Sequence, residues 1–182
     1  MNIDGVIVAR VIHVLALVHW IGGVAIVTTI ILPHARTLTN AAEAIRYFEE
    51  FERPFARQAR ISVLFAGLSG FYMLAELNAW ERLGSLAFWW LDLMIAVWVA
   101  FAVMIYVLEP LVVHAAFRRF AQINKERAFA IAQWLHLAAF VAAVVAISGG
   151  ILGSHGALPW SNGFYVFGVM HPASGTFLNP RI

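Results

Sequence analysis

Four apolar stretches, each about as long as a bilayer is thick, constrain this chain more than any other feature. They run over about 5–33, 61–80, 85–113 and 128–153. A helix rising 1.5 Å per residue needs roughly 20 residues to cross about 30 Å of hydrocarbon. In lipid such a stretch must be helical, because only a helix satisfies its own backbone N–H and C=O groups. Composition agrees: 62% of the 182 residues are hydrophobic and 12% are charged, against about 25% charged in a soluble domain. The expected fold is all-α, an integral membrane four-helix bundle over residues 1–153, followed by an irregular tail over 154–182.

Basic residues set the expected orientation. The segment 34–60 carries Arg36, Arg46, Arg53, Arg57 and Arg60, and the segment 114–127 carries Arg118, Arg119, Lys125 and Arg127. The other connection has Arg82 and the tail Arg181. The positive-inside rule puts the first and third connections in the cytoplasm and both termini outside. Trp80, Trp89 and Trp90 suit an outer aromatic belt. The first run is longer than a signal h-region and no export-type cleavage site follows it. The reading is a multi-pass protein of a bacterial inner membrane.

In the first connection, Asn40 and Glu43 have capping-box spacing. Ala41 to Phe51 then reads as a short amphipathic cytoplasmic helix or an extension of the second span, with Pro54 expected to end it. The tail is rich in Gly, Pro and Asn and reads as loop.

Net charge is +2, which gives no footprint for nucleic acid. There are no cysteines, so thiolate metal sites, iron–sulfur clusters and Cys-linked haem are excluded. Any metal or haem would be held by His, Met, carboxylate or backbone groups. The seven histidines carry the chemistry. His13, His19 and His136 lie inside apolar stretches, His34 and His114 at cytoplasmic helix ends, and His155 and His171 in the tail. An ionisable residue in hydrocarbon is costly and points to function, while interhelical hydrogen bonding is the plainer use of any single histidine.

Haem b fits this inventory, since two histidines on different helices can hold one iron. At 1.5 Å per residue His19 sits near the midplane, His136 roughly 7 Å inward and His13 roughly 9 Å outward. Depth therefore pairs His19 with His136. His13 and His19 are about 240° apart around the helix and cannot share a face. His136, Ala139, Ala143, Ala146 and Gly150 form one small face, which suits close approach by a backbone or a flat macrocycle. Glu109, His34 and His114 are level at the cytoplasmic end, where solvated helix ends are the plainer reading than a metal site. Asp92 either snorkels to the interface or pairs with Arg10. Copper is the alternative metal, taken on the outer side by His155, Met170 and His171.

Arg10-x-x-His13 followed by Trp20-Ile21-Gly22-Gly23 resembles the first helix of the copper-resistance D family of membrane proteins. Helix one is also similar to that of four-helix bacterial protoporphyrinogen oxidases. Arg57-Gln58-Ala59-Arg60 leading to Gly67 and Gly70 is similar in style at helix two. The resemblance implies a b-type haem and makes His13 the functional histidine of helix one.

Three functions follow as expectations. The first is a cytochrome b-like protein with haem between helices one and four, exchanging electrons with a quinone or a periplasmic redox protein. The second is a copper-handling membrane protein. The third is a structural subunit, as a homo-oligomer or part of a larger complex.

Overall fold

A computed structural model describes residues 3–154 of the chain. They form four long helices, and among the described residues there is no strand. Helix α1 spans 3–37 as Ile3–Ile26, a π-helical turn Val27–Ile31 and Leu32–Thr37. Helix α2 is Ala41–Glu76. Helix α3 spans 89–123 as Trp89–Val103, a π-helical stretch Met104–Val113 and His114–Ile123. Helix α4 is Lys125–Ser154.

Three regions are long and apolar enough to cross a membrane: Asp4–Thr37, Leu86–Ile123 and Lys125–Gly153. The second stretch expected from the sequence falls on α2, which ends at Glu76, four residues short of its expected bound at 80. Arg57, Arg60 and Glu76 therefore bracket a shorter apolar helix than the other three.

Pro54 does not end a separate helix. Asn40 caps α2 as expected, its side chain accepting from the Ala42 N–H at 2.9 Å. The helix then continues through Pro54 for 36 residues. Proline deprives the carbonyl four residues back of its partner. That residue is Glu50, which is exposed, so solvent can take up the free carbonyl. Packing on both sides of Pro54 holds the helix together: Phe48 and Ala59 are buried, on either side of the break. The short helix expected over Ala41 to Phe51 is thus the first part of α2.

The two π-helical stretches have local causes. In α1, Thr28 and Thr29 bond the carbonyls of Val24 and Ala25, each at 2.7 Å. Such back-bonding competes with the main-chain ladder. In α3, Pro110 has no N–H to give and disfavours α geometry at Glu109.

Consecutive helices pack antiparallel. The pairing of α1 with α2 is read from His13 against Ala66, His19 against Ser62 and Gly23 against Phe55. In α3 and α4, Trp90 lies against Gly153, Met94 against Gly150 and Phe117 against Phe129. The small face of α4 thus receives Trp90 and Met94. A Cβ added to Gly153 would lie 2.3 Å from the Trp90 ring.

Two clusters make the core. One sits at the basic end, where Leu32, Ala35, Ala44, Phe48, Ala121 and Phe129 are buried together. Phe48, Phe117 and Phe129 form an aromatic triad there, with centroids 5.2–6.0 Å apart. The second, around Trp20, Ala59, Val63 and Ile105, lies midway along the bundle. Outward-facing Val18, Leu68, Leu111, Trp134 and Leu135 are each at least 60% exposed. That apolar surface suits lipid.

Candidate functional site

The histidines part company in three dimensions. His13 donates from Nδ1 to the carbonyl of Ala66 at 2.9 Å and lies 3.2 Å from the Ser69 hydroxyl. A carbonyl only accepts, so this bond fixes the proton on Nδ1 and leaves Nε2 with a lone pair. His136 does the same within its own helix, donating to the Ala132 carbonyl at 2.8 Å. His19 shares a 2.8 Å hydrogen bond with the Ser62 hydroxyl and is exposed on the outside of the bundle.

His13 lines a cavity of about 390 Å³. Among the described residues it is the one histidine in that lining; His19 and His136 are not part of it. Trp20 of α1, Gly70 of α2, Met94 and Trp98 of α3, and Ala143 and Ala146 of α4 complete most of the wall. All four helices contribute, and Arg82, from the connection between α2 and α3, adds a cation. Gly70 matters for access to His13: a Cβ there would stand 3.2 Å from the imidazole. Trp98 is fixed by a bond from its indole N–H to the Val63 carbonyl at 2.8 Å. Trp20 is 2% exposed and its indole N–H has no partner.

Cavities of this size, apolar with a few polar groups, are where proteins hold small molecules and cofactors. A haem needs an imidazole with a free nitrogen, an apolar wall and a group for its carboxylates. The cavity offers His13, the tryptophans and alanines, and Arg82. Met94 adds a thioether, the other common axial ligand. The residues present fit the group.

Among the described residues Asp92 makes no ion pair with Arg10 and instead turns to the connection between α2 and α3. Its carboxylate accepts from the Gly84 N–H at 3.0 and 3.2 Å and closes the connection where Gly84 has φ +74°. His155, Met170 and His171 lie outside the described residues.

The basic end holds a second constellation. Glu109 of α3 is nearly buried and bonds Arg60 at 3.0 Å. His114 lies 3.5 Å from Glu109 and 3.7 Å from Glu52. His34 is elsewhere, against the Tyr47 ring with centroids 4.9 Å apart. So Glu52, rather than His34, joins Glu109 and His114. Sequence reasoning placed the end of a helix at Pro54 and gave Glu52 no part. Next to them Glu49 takes both Arg118 and Arg53. The hydrogen bond from Arg118 holds the Glu49 carboxyl below its ordinary range. Burial pushes Glu52 up, with Glu109 and Glu49 adding to the rise against the opposing pull of His114.

No protein-family model, curated protein or solved structure matches the chain.

Proposed function

We propose that the protein is a cytochrome b-like membrane protein that holds haem b in the cavity, with the His13 Nε2 as axial ligand. In this reading all four helices lie in a bacterial inner membrane with both termini outside. The protein exchanges electrons with a quinone or a periplasmic redox partner. The observation that carries it is that His13, its Nδ1 held by the Ala66 carbonyl and its Nε2 left with a lone pair, lines an apolar cavity walled by all four helices. A histidine ligand that gives its other N–H to a carbonyl is fixed in orientation and made more basic. Met94, in the same lining, would hold the group together with His13, and Arg82 would meet its carboxylates. When bound, haem supplies a one-electron couple. The chain excludes water and sets the potential through the axial pair and the low-dielectric wall.

An absorption spectrum of detergent-purified protein made with ample haem supply tests this. A Soret band, with visible bands that split on reduction, is the expected result. His13→Ala should abolish it, while His19→Ala and His136→Ala should retain it. A colourless wild-type preparation sinks the reading. Loss in His19→Ala and His136→Ala with retention in His13→Ala would move the site to the pair that depth favours.

A further inference from the structure

The Glu52, Glu109 and His114 side chains converge at the basic end, far along the helices from His13. Each offers a ligand atom, and these atoms lie within 4.8 Å of one another. The convergence depends on the π-helical stretch Met104–Val113. In α geometry, residues five apart diverge by about 140° around the axis. A π-helix, with its i→i+5 hydrogen bonds, is wound more loosely, so Glu109 and His114 come closer to one face. Glu52 reaches them from α2, across the helix pair.

The charges around this point are unevenly met. Glu49 is matched by Arg118 and Arg53, and Glu109 by Arg60. Among the described residues no arginine bonds Glu52. Its Oε2 is buried, makes no hydrogen bond there and faces the His114 ring at 3.7 Å. A buried carboxylate oxygen without a hydrogen bond is costly. Glu109 turns the same oxygen, Oε1, to Arg60 at 3.0 Å and to His114 Nε2 at 3.5 Å. His114 is partly exposed, and it and Glu109 line an open groove with Arg53, Arg57, Arg60, Ala115 and Arg118. The groove gives an ion a way in, past guanidinium groups of which Arg53, Arg60 and Arg118 are paired with Glu49 or Glu109.

We propose that Glu52, Glu109 and His114 form a binding site for a divalent first-row transition cation, with two carboxylate oxygens and one imidazole nitrogen as protein ligands. That donor set suits zinc, manganese or iron(II) and lacks the soft ligands that select copper(I). Arg60 is then a positioning residue that holds the Glu109 carboxylate. The site is separate from the cavity and does not depend on what the cavity holds.

Zinc is the probe. The full chain in detergent, loaded with Zn²⁺ and desalted, should retain one ion at this site by metal analysis. His155→Ala/His171→Ala serves as the background, so that tail histidines do not contribute. In that background Glu52→Gln and His114→Ala should each weaken binding at least tenfold, while His34→Ala should not. X-ray absorption of the zinc-loaded background protein should show oxygen and nitrogen neighbours at about 2.0–2.2 Å and the scattering pattern of a single imidazole. This measurement needs no substitution at the site. No retained zinc, retention unaffected by Glu52→Gln and His114→Ala, or a shell with two or more imidazoles would each overturn the proposal.

Discussion

The two ends of the bundle use the same four helices in opposite ways. At the basic end the helices close on one another. Phe129 and Leu32 are fully buried there, and interhelical ion pairs such as Arg118 with Glu49 sit around the aromatic triad. At the other end the helices stand apart around about 390 Å³ of space, wedged open by Trp90, Trp98 and Met94 against glycines. Close packing contributes stability, because each buried aromatic side chain adds several kcal/mol. Space contributes binding capacity and no contacts. The difference teaches that fold and ligand chemistry are divided lengthwise, so each can be damaged without the other.

Three substitutions test that division. The largest effect is expected from Phe129→Ala, which should cost about 3–5 kcal/mol in reversible unfolding. The Soret band of the surviving folded fraction should be unchanged. A folded Phe129→Ala protein that cannot hold haem would show that the two ends are coupled. Gly67→Ala comes next. Its Cβ would lie 2.5 Å from the Trp98 ring, an overpacking worth about 1–3 kcal/mol, and the displaced ring should also disturb the visible spectrum. Ala143→Leu lines the cavity with a bulkier side chain. It should leave the unfolding midpoint near that of the wild type while lowering haem occupancy; a large loss of stability would mean that there is no room at Ala143.

The smallest effects are those of pH at the basic end, and they have opposite signs. Glu49 has a lowered pKa, so its stabilisation is present above the ordinary carboxylate value and fades as pH falls through the folded value. Glu49→Gln should therefore destabilise at neutral pH and matter less in acid. Glu52 has a raised pKa, so the folded state is favoured at low pH and loses stability as pH rises past the ordinary value. In metal-free protein Glu52→Gln should be neutral or stabilising at pH 7 and without effect in acid. Denaturation midpoints at pH 4 and 7 check both signs, and matching signs would refute the asymmetry drawn between the two carboxylates.

Much of the architecture was legible in the chain. The apolar stretches over 5–33, 85–113 and 128–153 fall on three of the long helices, because length and hydropathy are local properties, but α3 runs on to Ile123 and α4 begins at Lys125, so the basic segment 114–127 is almost all helix where a connection was expected. The Asn40 cap was legible for the same reason. The continuation of α2 through Pro54 was not, since it rests on burial of Phe48 and Ala59 by other helices. Depth along an ideal helix placed His19 at the centre of the bilayer. It could not say which way the side chain turned, and the structure turns it outward to Ser62. The His13 environment depends on Ala66, 53 residues away. Glu52 joined its cluster through an equally distant contact, and only the five-residue spacing of Glu109 and His114 hinted at it.

The π-helical stretch Met104–Val113 has a consequence for how this gene can vary. It acts as a phase shifter between the two halves of α3. The N-terminal half presents Met94 and Trp98 to the cavity, and the C-terminal half presents Phe117 and Arg118 to the basic end. A substitution such as Pro110→Ala that returned the stretch to α geometry would wind its ten residues more tightly and turn one half against the other. Such a change would leave the hydropathy of α3 nearly untouched. Yet either the cavity wall or the ion-pair network would face the wrong way. The winding of this helix is therefore constrained at a place where no side chain needs to touch a ligand.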